Sequence, residues 1–185
     1  MADIGIHSVN FIFLGFKEMK KNAFTLIEVI LVVTILGILG ALILPTFQGH
    51  IAGARESAAK DSLRTMRSQI ELYKWHHGGT LPGYANGNPV GEAMLELQFT
   101  ATTTVDGAVS PSTVPSGAYV NGPYLIKLPE NPFNDLPNIA YVAAATDFSA
   151  AVDGTSSGWL YKKETGEFRI NWTGNDSEGV AFIDY

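Results

Sequence analysis

Lys20-Lys21-Asn22-Ala23-Phe24-Thr25-Leu26-Ile27-Glu28, followed by a predominantly apolar run to Leu44, decides the fold of this chain. From Phe24 to Leu44 there are 21 residues, and Glu28 is the only charged one among them. A helix of that length spans about 30 Å, the thickness of a bilayer's hydrocarbon core. An ionisable side chain inside such a segment costs roughly 2.5–3.5 kcal/mol on insertion scales and marks function by default, its partner to be named.

A partner is available nearby. Cleavage between Ala23 and Phe24 would give Phe24 a free α-amino group, largely cationic near neutral pH. Glu28 would then be the fifth residue of the mature chain, able to pair with its own amine or with that of a neighbouring copy. A buried charge is tolerable when paired and strongly destabilising when its partner is removed.

Lys20-Lys21-Asn22-Ala23 before Phe24-Thr25-Leu26-Ile27-Glu28-Val29 resembles the class III leader and cleavage site of type IV pilins and pseudopilins. In that family a prepilin peptidase cuts before the Phe and N-methylates it. The resemblance therefore implies cleavage between Ala23 and Phe24, N-methylation of Phe24, and an assembly role for Glu28 together with Phe24. The residue before the cut is usually Gly in the family; here it is Ala23, small enough for processing. Met19-Lys20-Lys21-Asn22-Ala23 would be a complete short basic leader, so translation is expected to start at Met19. The upstream apolar run Val9–Phe16 is too short to span a membrane, and Asp3 precedes the first Lys, unlike a secretory signal.

The expected organisation is a leader over 1–23, a transmembrane or filament-core helix over 24–44, an amphipathic continuation over 45–78 and an exported globular domain over 79–185. Pro45 marks a kink or the membrane exit. Phe47, Ile51, Ala54, Ala58, Met66, Ile70 and Tyr73 recur mainly at three- and four-residue steps, a helical stripe. Glu56 with Lys60, and Arg67 with Glu71, are opposite charges four apart. Gly78-Gly79 supplies the stop. One helix over 24–77 would be about 80 Å long. His76 and His77 read as cations favoured at a helix C-terminus rather than as metal ligands, since adjacent positions do not share a face.

Beyond the helix the chain is rich in Gly, Pro, Ser and Thr. Val90–Leu97 suits a short helix, and Thr100–Gly117 an exposed loop. Trp159–Lys163 and Glu167–Trp172, joined by Glu164-Thr165-Gly166, read as a hairpin, with Phe168, Ile170 and Trp172 on one face. This predicts an α+β, pilin-like fold: one long N-terminal helix packed on a small antiparallel sheet.

Gly122-Pro123-Tyr124-Leu125-Ile126-Lys127-Leu128-Pro129-Glu130-Asn131-Pro132-Phe133 carries a second resemblance, to the major pseudopilin of type II secretion systems. Pro129 and Pro132 force an extended path, and Tyr124, Leu128 and Phe133 can pin it to the core. Major pseudopilins of that kind can bind calcium in a C-terminal loop. The corresponding candidate is Asp147–Ser157, with Asp147 and Asp153 as carboxylates. An EF-hand spacing is absent, and the alternative is a plain polar surface loop.

Composition bounds the remaining possibilities. After Ala23 there are nine Lys and Arg against sixteen Asp and Glu, which argues against nucleic acid as a partner. There are no cysteines, so no disulfide and no Cys metal site. No phosphate loop, His-Glu-x-x-His or Gly-x-Ser-x-Gly motif is present, so no enzyme is indicated. Lys17, Lys20 and Lys21 precede the apolar segment and place it as a single pass with the C-terminal domain outside the inner membrane, in the periplasm.

The resemblance implies a structural filament subunit, first held in membrane lipid and processed by prepilin peptidase. An inner-membrane assembly platform then polymerises it with copies of itself and other pseudopilins to support protein export, the filament lying in the periplasm. Two rivals remain: a type IV pilus subunit for adhesion, motility or DNA uptake, and a membrane-tethered binding module that forms no polymer. In the latter, Trp159, Tyr161 and Trp172 would form the binding face; otherwise they pack the sheet on the helix.

Overall fold

The first helix, α1 (Leu26–His76), is 51 residues long. The structure, a computed structural model, describes residues 25–185, the side chains of 42–50 excepted. The Thr25 hydroxyl accepts from the Glu28 backbone N–H at 3.3 Å, which satisfies one of the unpaired donors of the first turn. At the other end Gly78 and Gly79 take positive φ (62° and 94°), and Gly79 N–H donates back to the Lys74 carbonyl at 2.8 Å. This is the expected glycine stop, available because glycine has no Cβ to clash in the left-handed region. The chain divides into two compact units, Met1–Pro45 and Thr46–Tyr185.

In the second unit, α1 buries Ala59, Leu63, Met66, Ile70 and Tyr73, spaced by four, three, four and three residues. The expected stripe holds at Met66, Ile70 and Tyr73. It is corrected at Ile51, Ala54 and Ala58, which are exposed; Ala58 lies about 100° round the helix from Ala59. The Glu56–Lys60 pair forms at 2.7 Å. Arg67 turns inward to the sheet instead of pairing with Glu71, which sits 3.7 Å from Lys74.

Two short strands, β1 (Tyr84–Ala85) and β2 (Asn88–Pro89), make a small antiparallel ribbon. Then α2 (Glu92–Thr100) starts and ends a little later than expected. The main sheet has the order β3 (Ile139–Tyr141), β4 (Trp159–Lys162), β5 (Glu167–Ile170). β4 and β5 form the predicted hairpin, Trp159 opposite Ile170 and Lys162 opposite Glu167. β3, however, runs parallel to β4, so this sheet is mixed rather than antiparallel. Residues 142–158, which include the short helix α3 (Phe148–Ala151), are long enough to carry the crossover a parallel pair requires.

Alternation along the strands then sorts the side chains. Trp159, Tyr161, Phe168 and Ile170 join Ala59, Leu63, Met66 and Ile70 in one buried cluster. Leu160 points the other way, into a smaller cluster with Val142, Phe148 and Ile183. Trp159 and Tyr161 are fully buried, so these rings pack the sheet on the helix and are not a binding face. Trp172 is half-buried and stacked on Phe133 at 5.3 Å. The edge of β3 is closed by α2: Glu92 Oε1 accepts from Tyr141 N–H at 2.9 Å and Glu96 Oε1 from Ile139 N–H at 3.3 Å. Four helical residues rise about 6 Å and two strand residues about 6.6 Å, so the i, i+4 carboxylates match alternate strand amides.

The segment 100–117 is less exposed than expected. Ala101, Thr102 and Thr103 are buried, and Thr103 exchanges backbone hydrogen bonds with Asn121 at 2.8 and 3.1 Å. Gly158, at the entry to β4, must be glycine: a Cβ there would lie 1.9 Å from the Leu136 carbonyl oxygen.

Candidate assembly helix and its supporting domain

In the first unit, the large apolar side chains from Leu26 to Leu39 are exposed all round the helix, Leu26 and Ile27 by 77% and 73%. An apolar surface of this size, relieved only by Glu28 and Thr34 among the described side chains, marks a partner or a membrane. Glu28 lies in the first turn of α1, where the helix dipole favours a negative charge. Its side chain is exposed. Ala23 and Phe24, the expected cleavage and methylation site, lie outside the described residues, as do Met19 and the leader. Among the described residues no helix is long and apolar enough to cross a membrane. The described apolar side chains stop at Ala41, short of the roughly 20 residues a crossing takes.

The second unit carries the expected Gly122–Phe133 segment against its core. Tyr124 and Leu125 donate their N–H groups to the Phe99 carbonyl, both at 2.9 Å. Leu128 is buried, and Tyr124 and Phe133 pack on the same cluster. The Trp159 indole N–H donates to the Pro129 carbonyl at 2.8 Å. Asn131, fully buried, is the linchpin. Its amide donates to the carbonyls of Gly158 (2.9 Å) and Asn171 (3.2 Å) and its Oδ1 accepts from Phe133 N–H (3.0 Å). Sequence reasoning saw two prolines here and missed the Asn between them, because the carbonyls it serves come from residues 27 and 40 positions away.

Asp147 and Asp153, the calcium candidates, are each occupied locally. Asp147 caps α3, its Oδ1 accepting from Ser149 N–H and Oγ–H at 2.8 and 2.6 Å. Those two bonds, the hydroxyl's first, lower its pKa. Asp153 Oδ1 accepts from the backbone N–H groups of Thr155 (2.9 Å) and Ser156 (3.1 Å) and from the Asn171 amide (2.8 Å). These hold its carboxyl well below the usual range. Asn171 Oδ1 in turn accepts from Asp153 and Gly154 N–H, both at 2.9 Å. The loop is a closed hydrogen-bonded knot. Among the described residues no group of three or more His, Asp or Glu is placed to hold a metal ion.

His76 and His77 part company. His76 Nδ1 lies 3.1 Å from the Tyr124 hydroxyl. His77 is buried, stacked on Tyr73 at 3.6 Å. Its Nδ1 lies 2.7 Å from the Tyr73 carbonyl, which can only accept, so Nδ1 carries the proton and Nε2 accepts from the Thr103 hydroxyl at 3.0 Å. Burial lowers its pKa. His77 is therefore a neutral core residue that ties the 101–124 segment to α1, not the helix-end cation its position suggested.

Residues 19–44 match the family described as the prokaryotic N-terminal methylation motif. The chain is 39% identical over 75 residues to prepilin peptidase-dependent protein D of Escherichia coli, covering 38% of this chain and 49% of that protein. It is 26% identical over 163 residues to type II secretion system core protein G of Vibrio cholerae, covering 86% of this chain and 97% of that protein. It is 34% identical over 97 residues to the type IV major fimbrial protein FimA of Dichelobacter nodosus, covering 51% of this chain and 58% of that protein. The chain thus spans about half the length of two of these relatives and nearly all of the third. No solved structure matches it.

Proposed function

We propose that this type IV pilin-like chain, similar to the major pseudopilins, is a structural filament subunit of a type II secretion-like pseudopilus rather than an enzyme. The observation that carries the reading is the helix from Leu26 to Leu39, whose apolar side chains are exposed on every face. A helix that is apolar all round belongs in a membrane or in the middle of an assembly. Prepilin peptidase cuts between Ala23 and Phe24 and methylates the new amine. The segment 24–44 stores the subunit as a single pass in the inner membrane, with the second unit in the periplasm. An assembly platform then transfers that helix from lipid into a filament core, shared with copies of the chain and other pseudopilins. Glu28 neutralises the Phe24 amine of a neighbour there and sets the stagger between subunits. Repetition of one heterologous contact gives an open helical assembly.

Intact mass and N-terminal sequencing on material from native membranes test this. A chain beginning at N-methyl-Phe24 supports it; a chain beginning at Met1 or Met19 shows an uncleaved anchor and hands the lead to the tethered module. The similarity to a major fimbrial protein supports a second reading, a type IV pilus subunit. Long filaments on the cell surface at native expression, with secretion intact after deletion, would favour that reading.

A further inference from the structure

The second unit presents two apolar features that none of its described side chains covers. One is a knob: Trp75, on the exposed side of α1, is 79% exposed. It is flanked by Glu71 and Lys74, 3.7 Å apart, and shares a shallow surface hollow with them and with Gly78 and Gly79. The other is a groove of about 580 Å³ between α2 and the Gly122–Phe133 segment. Ala93, Leu97, Ile126, Leu128 and Pro137 line it, and Lys127 and Glu130 stand on its rim, 3.3 Å apart. Ile126 is fully exposed and Leu97 44% exposed. Trp75 does not line the groove of its own copy.

We propose that Trp75 of one copy seats in the α2 groove of the next copy, so that the exported units of a filament are joined by a repeated knob-into-groove contact. The occupant is a second copy because the two rims are complementary. The knob carries Glu71 and Lys74, and the groove carries Lys127 and Glu130 on its rim and Glu96 in its wall, the last already engaged by the Ile139 N–H, so each rim ion pair within a copy can exchange for a pair across the contact. A large aromatic ring at the centre with charges at the rim is the usual anatomy of an energetic anchor. Knob and groove are different patches, so the contact is heterologous and propagates without closing. This inference rests on the filament reading and names the contact by which the exported units would take part in it.

The absence of native cysteines makes the test clean. Full-length chain carrying Lys74→Cys and Glu130→Cys, with Trp75 and Ile126 kept, is expressed in cells that assemble it, with filaments checked by electron microscopy, and treated with a short thiol-reactive bifunctional cross-linker. A ladder of cross-linked multimers is expected from the double variant and only monomers and dimers from either single one. Trp75→Ala added to the double variant should lower the cross-linked fraction severalfold; Lys127→Glu should lower it as well and Glu71→Lys should restore it. Filaments that form with no ladder, a ladder unchanged by Trp75→Ala, or a Glu130→Cys chain bridged instead to another polypeptide, overturn the contact and leave the filament reading standing. If the unmodified chain forms no filaments when overproduced with its assembly machinery, the filament reading itself has failed, and the contact with it.

Discussion

Arg67 on α1 and Phe168 on β5 are joined by a two-pronged hydrogen bond, the guanidinium donating through Nε and Nη2 to one carbonyl oxygen at 3.2 and 2.9 Å. β5 is an edge strand, and Arg67 stands where a further strand would otherwise donate. The same guanidinium also donates to the Tyr185 carbonyl, which Arg169 Nη1 reaches at 2.6 Å, so one side chain fastens both the sheet edge and the last described residues to the helix. Arg67→Ala should therefore destabilise the second unit by roughly 1–3 kcal/mol, while Arg67→Lys recovers only part, since an ammonium cannot match a planar fork. Denaturant melts of the three proteins in detergent check this; an unchanged midpoint for the alanine variant would remove Arg67 from the account.

Asn131 satisfies two carbonyls and one N–H from inside the core. Asn131→Ala strands all three groups and should cost about 3 kcal/mol. Asn131→Asp keeps the shape but turns an acceptor toward the carbonyls of Gly158 and Asn171. It should be most destabilising at neutral pH and recover as the carboxyl protonates in acid. A thermal midpoint series against pH reads the difference in sign between the two variants.

His77 makes the domain acid-sensitive. Its pKa is lowered in the folded chain, chiefly by burial, so the unfolded chain binds more protons once the pH drops to the ordinary histidine value. Stability from this site is present in full above about pH 6.5 and declines as pH falls through the folded value. The groups facing the ring are Tyr73, His76, Tyr124 and Thr103, none of them a carboxylate that would rescue the imidazolium. Asp106 acts only weakly in the other direction. Asp153 adds to the same trend at lower pH, since its depressed pKa means stability lost as its carboxylate protonates. His77→Gln should be less stable at pH 8 yet show a shallower decline between pH 7 and 5; parallel decline in both proteins would refute the assignment.

Glu28→Gln removes the only charge of the apolar segment without changing its shape. The variant should insert and be cleaved normally but yield filaments reduced on the order of tenfold or more, because it leaves a cationic amine unpaired in an apolar core. Quantifying sheared or purified filaments beside the membrane pool checks it. Normal filament yield would end the pairing role.

The long helix, its glycine stop, the β4–β5 hairpin and the α+β class were all legible in the sequence. Each depends on residues close in the chain: an apolar run, two consecutive glycines, alternation around a three-residue turn. The Glu56–Lys60 pair was legible for the same reason, and the pinning of Tyr124, Leu128 and Phe133 because two prolines hold an extended path on which large apolar side chains must find the core. What only the tertiary structure decided are relationships between distant residues. The parallel pairing of β3 depends on a crossover that leaves no local period. Arg67 chose a carbonyl 101 residues away over the Glu71 one turn along. His77 became a neutral core residue because Tyr73 and Thr103 enclose it, and Asp153 became part of a knot because Asn171 returns to it. Periodicity and turn chemistry report which face a residue presents; only the closing of the chain settles what is waiting on that face, and burial then fixes its charge and its partners.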